Sequence, residues 1–432
     1  MATSDNKPTA RAGEVSIDAS QLRPGVHVRL PIPWMQHEFV FNSFVIASED
    51  QARQIAALNL PNLFCEIARC KVPPLPKREN ASPPDPASAE ERARLAALTA
   101  RQMQEKIVRT KVMVDLRGRL DVAQKHYMGA SRTMLGALDR FDLNPRESIR
   151  QVAKVSEIST AALLADPDSA IVLIAEKGHD EGHAAHALSV MTLALLLGKQ
   201  AKLPQEALCA IGIGALLHDI GNASISPTIL RNATRNRHEE AVYQSHCQLG
   251  YETALRAGTL TAPMLDAILH HHERMDGEGF PDRLAGDQIQ LAARIVAIAN
   301  RFDNLANPVD YRRAMSPSEA LSVMWAKEKH AYDYQLLQLF VRAMGVYPPG
   351  SIVLLTDGRV AAVVTSATAD SPLAPQVMLY EPDVPRREAI IIDLARETSV
   401  KIERPLRLHD RPTEELDYLL PRRKISWFHS TG

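Results

Sequence analysis

The chain has 432 residues, of which 45% are hydrophobic and 23% are charged. At about 150 residues per domain this length allows roughly three domains, and the composition excludes wholesale disorder and a fibrous repeat. The 50 basic and 51 acidic side chains leave a net charge of -1. This balance argues against binding to bulk nucleic acid or to an anionic membrane surface.

The longest apolar stretches, at 187–197 and 207–217, fall short of the roughly 20 residues that a membrane-spanning helix needs. The N-terminal sequence MATSDNKPTARAGE is polar and lacks the apolar core of a signal peptide. We therefore expect a cytoplasmic protein that does not enter a membrane. The four cysteines have the spacing of neither a CxxC pair nor a zinc ribbon, so we expect them to be reduced.

The N-terminal part of the chain predicts a small β-rich domain. After a loose tail over 1–13, the apolar alternations HVRLPIPW and FVFNSFVI within 14–72 are typical of short strands. Six prolines between positions 73 and 86 predict a semi-extended linker over 73–89, because proline continues neither a helix nor a central strand. We place a domain boundary there.

Residues 90–149 predict a helical connector. Apolar or small residues recur at alternating spacings of three and four, which puts one set on a single helical face: Met113, Leu116, Leu120, Tyr127, Met134 and Phe141. We interpret this seam as packing within the chain. Pairing of two chains through it is an open alternative.

Residues 150–345 predict an all-helical domain, since helical patterns bounded by Pro or Gly follow one another with few strand signals. The pattern then changes to SIVLLTDGRVAAVV, two apolar runs around an Asp357-Gly358 turn, which predicts a β-hairpin. We expect a β-rich extension over 346–410 and a tail over 411–432. The predicted fold class is mainly α, with an all-helical core between two small β-rich modules.

The helical core concentrates side chains that bind metals. Nine of the 15 histidines lie between positions 179 and 272. Seven groups fall in or at the end of predicted helices: His186, His218, Asp219, His246, His271, His272 and Asp303. Such a mixture suits iron, manganese or zinc, and seven groups exceed the about four to six ligands that one ion normally takes. The set therefore predicts two ions, and Asp219 could bridge them.

Some of these histidines are ambiguous when taken alone. A purely structural role is weak for His218-Asp219, because the pair follows the uncharged run 207–217 and a carboxylate beside a buried run needs a partner, which a metal would supply. Ile220-Gly221 predicts a C-terminal stop for this helix. The run 270–272 is also consistent with a solvated helix end, where histidine complements the helix dipole. Four further histidines are interpreted as having no metal role: His179, His183, His238 and His270.

The loop after the paired histidines, ERMDGEGFPDRL, removes this ambiguity. Its Gly277, Gly279 and Pro281 favour a tight, exposed turn beside His271 and His272. With this loop, the segments LLHDIGN, HHHERMDGEGFP and ARIVAIANRFDNL resemble, in order and spacing, the HD-GYP family of metal-dependent phosphodiesterases, which cleave the bacterial messenger cyclic di-GMP. The match covers about residues 165–345.

The resemblance implies a set of site residues. All seven groups correspond to the family's metal ligands, Asp219 takes the bridging position, and Arg312 corresponds to an arginine that contacts a substrate phosphate. The loop that names the family is expected to contribute to the substrate site: Asp276, Gly277, Gly279, Phe280 and Pro281. The flanking segments are similar to a small N-terminal domain of unassigned function that often precedes the family's domain and to a β-rich extension that often follows it.

Three positions depart from the family pattern. Phe280 replaces a tyrosine, so ring stacking could persist without the hydrogen bond of a hydroxyl. Asn222, a candidate catalytic position, replaces a lysine that is expected near the scissile phosphate. Gly182 stands where some members carry a glutamate that helps to hold a third ion, so we expect a two-metal site.

The resemblance implies a binuclear metal-dependent hydrolase that converts cyclic di-GMP into pGpG, with GMP as a further product left open, in bacterial second-messenger signalling. We expect two divalent transition-metal ions, iron or manganese. The alternative is a catalytically weak or inactive cyclic di-GMP sensor that docks partner proteins. Asn222 and Phe280, which depart from the family pattern, favour this alternative. An HD phosphohydrolase acting on another nucleotide is disfavoured by the DGEGFP loop. A homodimer or a signalling-protein partner is left open.

Overall fold

The computed structural model describes residues 10–11, 13–39, 41–77, 89–165, 182–308, 313–365, 367, 371–382, 384, 386, 389–397 and 399–420. The chain forms two compact units, Met1–Val114 and Asp115–Gly432. The described part contains thirteen α-helices and two antiparallel sheets, one towards each end of the chain. The predicted mainly-α class with a small β-rich module at each end is therefore confirmed.

The first unit contains a four-stranded antiparallel sheet with strand order β1-β4-β2-β3. Its strands are β1 (Glu14–Ile17), β2 (His27–Arg29), β3 (Ser43–Val45) and β4 (Leu63–Glu66). Helix α1 (Glu49–Ala57) begins at Ser48, whose hydroxyl accepts a hydrogen bond from the Gln51 amide, as is usual at a helix N-terminus. Apolar side chains of the strands and α1 form a separate core for this unit.

A buried lysine joins the next helix, α2 (Ala89–Asp139), to this unit. The Nζ of Lys106 donates to the carbonyl oxygens of His37 at 2.6 Å and Phe39 at 2.9 Å, and also to that of Trp34. The ammonium also lies 4.2 Å from the centroid of the Trp34 ring. These acceptors provide the partners that a buried cation requires.

The C-terminal part of the predicted helical seam packs within the chain. Met134 and Phe141 are buried in the core of the second unit, and Tyr127 packs against that core. The side chains of Met113, Leu116 and Leu120 lie outside the described part of the structure. The interpretation of the seam as intrachain packing is thus confirmed for its C-terminal part, and pairing of two chains stays a prediction.

Ten of the described helices form the helical part of the second unit after α2. They are α3 (Pro145–Ala165), α4 (Gly182–Gln200), α5 (Gln205–Leu217), α6 (Pro227–Arg231), α7 (Arg237–Gln244), α8 (His246–Ala257), α9 (Ala262–His270), α10 (Leu291–Ala306), α11 (Pro317–Ala326) and α12 (Tyr334–Met344). Helix α5 packs against α3, α4, α9 and α10, so the uncharged run 207–217 lies at the centre.

The segment Gln205–Ser224 is long and apolar enough to resemble a membrane span. However, 72% of it is buried inside the unit, as expected of a core helix. Burial explains the absence of charge in the run 207–217, because neighbouring helices surround it and few of its side chains meet water.

The C-terminal sheet has five antiparallel strands in the order β8-β7-β6-β5-β9. They are β5 (Ile352–Leu355), β6 (Val360–Val363), β7 (Gln376–Leu379), β8 (Ile391–Asp393) and β9 (Ile402–Pro405), and helix α13 (Thr413–Leu419) follows. The predicted hairpin is confirmed, since Leu354 pairs with Val360 around the turn at Asp357-Gly358. Gly358 has a φ of +85°, which favours glycine.

Candidate metal centre

The helical unit brings the predicted ligands together from five parts of the chain. His186 lies on α4, and Asp303 lies on α10. His218 and Asp219 follow α5, His246 is the first residue of α8, and the paired histidines follow α9. Two groups of ligand atoms form, with all atoms of a group within 4.8 Å of one another: Asp219, His246, His271 and His272 in one, and His186, His218 and Asp219 in the other.

Asp219 belongs to both groups, and each of its oxygens faces one of them. Oδ1 lies 3.4 Å from the Nε2 of His246 and 3.8 Å from the Nε2 of His271. Oδ2 lies 3.5 Å from the Nε2 of His218 and 3.7 Å from the Nε2 of His186. A single carboxylate therefore stands between two sets of imidazoles, each of which could hold one ion.

Backbone carbonyls orient three of these imidazoles. The Nδ1 atoms of His218, His246 and His271 each lie 2.6 to 2.9 Å from the carbonyl oxygen of the residue three positions earlier. Hydrogen bonding there makes Nδ1 the donor and leaves Nε2 with its lone pair, the form in which imidazole binds a metal. The Nε2 of His218 is buried without a hydrogen-bond partner among the described residues. The donor set thus fits a metal ion.

Several of the candidate ligands have pKa values that favour the deprotonated form, which is the form that binds a metal. Burial lowers the pKa of His218 to about 4 and holds the pKa values of His271 and His272 well below the usual range. Burial alone would raise the pKa of Asp219, but the surrounding imidazoles, led by His218, outweigh it and leave that pKa below its usual range. At neutral pH the imidazoles of His218, His271 and His272 are therefore neutral, and the Asp219 carboxylate is ionised.

Asp303 lies on the other side of His186. Its Oδ2 is 2.7 Å from the Nδ1 of His186, and its Oδ1 accepts a hydrogen bond from the Nδ2 of Asn307 at 2.9 Å. Among the described residues it belongs to neither of the two groups of ligand atoms. The contact fixes the ring of His186 with Nε2 towards Asp219. Direct ligation by Asp303, which the resemblance implies, stays a prediction.

The DGEGFP loop folds back over the paired histidines. A Cβ at Gly279 would lie 2.5 Å from the Arg274 amide nitrogen and 2.7 Å from the His272 carbonyl oxygen, so this approach requires glycine. The Phe280 amide donates to the same carbonyl at 3.3 Å. Its ring stacks on the His272 imidazole, with centroids 4.5 Å apart and planes at 21°. Phe280 thus makes the stacking contact that the sequence allowed.

Other contacts shape the loop itself. The Asp276 carboxylate accepts hydrogen bonds from the Arg274 guanidinium at 2.6 Å and from the amide two residues later at 3.1 Å. Gly277 has a φ of +76°, and the peptide bond between Phe280 and Pro281 is cis. These contacts are internal to the turn, so substrate binding by the loop residues stays a prediction.

Sequence reasoning missed the carboxylate that anchors this loop. Glu273 is buried, and its two oxygens accept hydrogen bonds from the amides of Asp282 at 2.7 Å and Leu284 at 3.0 Å. Burial raises its pKa above the usual value, although these amides oppose the shift. The only signal in the sequence was an acidic residue directly after the histidines at the helix end. Its role as an anchor depends on contacts with residues nine and eleven positions later, which the pattern does not predict.

The turn after Asp219 is tightly packed. Residues Ile220–Ser224 form a 3-10 helix, and a Cβ at Gly221 would lie 2.0 Å from the His246 carbonyl oxygen. The helix ends near Gly221 as predicted, but the glycine is required by this close approach. Asn222 is only 8% exposed, and its Oδ1 is buried without a hydrogen-bond partner among the described residues. Arg312 and His179 lie outside those residues.

Comparison with known families agrees with this architecture. Residues 163–336 match the family model of the HD domain, and residues 14–152 match that of a domain of unknown function, DUF3391. The chain is therefore similar to HD-domain proteins in its helical part and to DUF3391 in the part that precedes it.

Similar proteins of known activity include cyclic di-GMP phosphodiesterases. A cyclic di-GMP phosphodiesterase of Pseudomonas aeruginosa is 34% identical over 227 residues, 52% of this chain and 54% of the relative. A cyclic di-GMP phosphodiesterase response regulator of Xanthomonas campestris is 26% identical over 53% of this chain and 56% of its own. The chain spans about half the length of these relatives. The resemblance to the HD-GYP phosphodiesterases is confirmed.

Other similar proteins cover smaller or more distant parts. A 3'3'-cGAMP-specific phosphodiesterase of Vibrio cholerae is 31% identical over 127 residues, which are 29% of this chain and 24% of that protein. Among solved structures, an HDG"Y"P protein from Bdellovibrio bacteriovorus aligns with 76% of this chain and 98% of its own, at 15% identity and a TM-score of 0.45.

Proposed function

We propose that the chain is a two-metal phosphodiesterase that hydrolyses cyclic di-GMP to pGpG. The observation that carries the proposal is the position of Asp219, whose two oxygens face two separate groups of imidazoles. A carboxylate with a purely structural role in a buried site needs only one partner. Each oxygen of Asp219 instead faces two imidazoles. Such an arrangement suits two ions held side by side.

The residue roles follow from the two groups. His186 and His218 would hold one ion together with Asp219, and the paired histidines with His246 and Asp219 would hold the other. The carbonyl bonds to Nδ1 keep these rings oriented, and Asp303 does the same for His186. A mixed imidazole and carboxylate set without thiolate favours iron or manganese.

When bound, the two ions supply positive charge that clamps the phosphate oxygens and lowers the pKa of water. The protein residues supply the remaining conditions. Neutral imidazoles would leave the net positive charge of the ions available to the substrate. The Phe280 ring covers one face of the His272 imidazole and limits the access of bulk water to that face. Arg312 is assigned to a phosphate of the substrate by the family resemblance.

The test is hydrolysis of cyclic di-GMP by iron- or manganese-loaded protein, with pGpG and GMP followed by chromatography. We expect cleavage by the natural chain and none by Asp219→Asn. Asp142→Asn, which changes an exposed carboxylate outside the site, is the matched control and is expected to be fully active. The cyclic dinucleotide 3'3'-cGAMP, offered as a competing substrate, tests the choice of messenger.

Two results would contradict the proposal. Metal-loaded protein that binds cyclic di-GMP without cleaving it would support the sensor alternative. Cleavage of another nucleotide with no activity on cyclic di-GMP would support an HD phosphohydrolase of different specificity.

A further inference from the structure

An aromatic and cationic wall flanks the group of ligands formed by His246 and His272. The Tyr243 ring, near the end of α7, lies with its centroid 5.0 Å from that of His246 and 6.2 Å from that of His272. Its carbonyl oxygen also accepts the hydrogen bond from His246 Nδ1 at 2.6 Å. The Phe280 ring completes the wall, 6.4 Å from Tyr243 between centroids. This wall therefore lies beside the ligand group in which one of the ions would sit.

Arg235 lies on the Tyr243 ring, with its guanidinium carbon 3.9 Å from the ring centroid. Its Nε donates to Glu240 at 2.9 Å, and its Nη1 donates to the carbonyl oxygens of Asn232 at 3.0 Å and Ile229 at 3.3 Å. Only 20% of the side chain is exposed. The guanidinium is thus fixed along one edge by protein acceptors and by the ring.

The opposite edge has donors to spare. The Nη2 group of Arg235 has no protein hydrogen-bond partner among the described residues, and neither does the hydroxyl of Tyr243. A phenol hydroxyl can donate its proton in a hydrogen bond. A fixed cation and a hydroxyl donor side by side form a place for an anionic oxygen.

The substrate proposed above offers such an oxygen. Cyclic di-GMP has two phosphodiester groups, and two ions in the proposed site would engage only the one that is cleaved. Guanine could also accept hydrogen bonds at O6 and N7, but its recognition by arginine normally uses two donors of one fork. Here Nε is paired with the Glu240 carboxylate and Nη1 with two carbonyl oxygens, so only the Nη2 group, with its two N–H donors, remains. One nitrogen cannot form the two-nitrogen fork that guanine recognition uses, but it can donate to a phosphate oxygen.

We propose that Arg235 and Tyr243 form a subsite for the uncleaved phosphodiester of the cyclic dinucleotide. The inference rests on the proposed function, because it extends the same site. It gives this chain a cation beside the metal centre that does not depend on Asn222. Arg235 and Tyr243 act in substrate binding, while the ions and their ligands act at the cleaved bond.

The test compares two substrates in the metal-loaded full chain. Cyclic di-GMP has two phosphodiesters, so it can use the metal site and the subsite at once. Bis(p-nitrophenyl) phosphate has only one phosphodiester, which would bind at the metal site, so it reports on that site alone. We expect Arg235→Gln to raise KM for cyclic di-GMP about tenfold to a hundredfold, the usual effect of losing a charge-assisted hydrogen bond. The ratio of kcat/KM for cyclic di-GMP to that for bis(p-nitrophenyl) phosphate should fall by at least about tenfold.

Two milder variants separate the contributions. Tyr243→Phe removes only the hydroxyl and should raise KM about threefold to tenfold, with the metal content retained. Arg235→Lys keeps the charge and should recover part of the affinity lost in Arg235→Gln. Arg237→Gln on the exposed start of α7 and Tyr251→Phe on α8 are the matched controls, and we expect both to behave as the natural chain.

Several outcomes would overturn the subsite. An unchanged ratio in Arg235→Gln and Tyr243→Phe, with an active natural chain, rejects it while leaving the proposed function intact. An equal loss on both substrates, or a loss of metal, means that the pair only supports His246. If Arg235→Gln does not fold, the kcat/KM ratios of Arg235→Lys and Tyr243→Phe test the subsite instead. A natural chain that neither cleaves nor binds cyclic di-GMP, yet hydrolyses bis(p-nitrophenyl) phosphate, rejects the proposed function and the subsite together.

Discussion

His186 and Asp303 are 117 positions apart in the chain, and a 2.7 Å contact between Nδ1 and Oδ2 joins their side chains. The contact ties α4 to α10 directly at the candidate metal centre. It also directs the remaining nitrogen of His186 towards Asp219, 3.7 Å away. A carboxylate behind a metal-binding histidine fixes its tautomer and increases its basicity.

This contact predicts the effect of Asp303→Asn. The amide keeps the shape of the side chain but loses the charge, so we expect metal affinity to fall about tenfold to a hundredfold. Titration of the metal-free protein with manganese measures the change. Asn307→Ala, which removes only the second hydrogen bond to Asp303, should have a smaller effect. Equal affinity in Asp303→Asn and the natural chain would show that the carboxylate has no role at the ions.

The second prediction concerns the residues that follow α5. We expect His218→Ala and Asp219→Ala to lose metal and hydrolysis together, because each removes a group that faces the ions. The loss should be larger for Asp219→Ala, whose side chain serves both groups of imidazoles. Metal analysis of the purified variants is the measurement. Full metal content with full activity in either variant would mean that the pair is structural.

The sequence predicted much of this site because its information is local. Helix ends could be read from Gly and Pro, and the buried run before His218 was visible as eleven uncharged residues. The hairpin around Asp357-Gly358 was equally local, since two apolar runs and a turn suffice to specify it. Family motifs then connected segments that are distant in sequence.

Contacts between distant segments were not predictable in this way. Which oxygen of Asp219 faces which imidazole depends on the packing of several helices. The loop anchor Glu273 and the stacking of Arg235 on Tyr243 likewise depend on tertiary contacts. Gly221 shows the same limit, because the pattern indicated a helix stop and the structure shows a close approach to the carbonyl of His246.

The third prediction follows from that close approach. In Gly221→Ala the new Cβ would lie 2.0 Å from the His246 carbonyl oxygen, a backbone atom that cannot move without shifting α8. We expect a loss of stability of about 1–3 kcal/mol and weaker metal binding, because Asp219 and His246 must separate. Gly129→Ala is the control, since its Cβ meets no atom within 4 Å and should leave stability equal or slightly higher. Thermal unfolding with and without manganese measures both effects.

The fourth prediction concerns the pH dependence of the first unit. Burial, and then the charge of Arg69, lowers the pKa of His27 to about 4. The neutral ring accepts a hydrogen bond from the Glu66 amide at Nδ1 and lies 2.9 Å from the Ser43 hydroxyl at Nε2. Protonation would abolish the acceptor at Nδ1.

The unfolded chain binds the proton of His27 near pH 6.5 and the folded chain only near pH 4. Stability from this residue is therefore complete above about pH 6.5 and is lost as the pH falls towards 4, by at most about 3 kcal/mol. Urea midpoints of the first unit's transition between pH 7.5 and 4.5 measure the slope, and His27→Gln should flatten it. An identical slope in that variant would assign the pH dependence to other groups.

The last prediction concerns Asn222, where the chain lacks the lysine expected from the family. Asn222 is buried next to the ligands and leaves its Oδ1 without a protein partner among the described residues, so its replacement breaks no hydrogen bond of that oxygen. If hydrolysis needs a cation at this position, Asn222→Lys should raise turnover of cyclic di-GMP about tenfold to a thousandfold, the usual scale for one electrostatic donor. Asn222→Met, which is similar in length but uncharged, controls for the added bulk. An already fast natural chain with no gain in Asn222→Lys would mean that the ions and the arginines suffice. Binding without cleavage by both proteins at full metal content would instead favour the sensor.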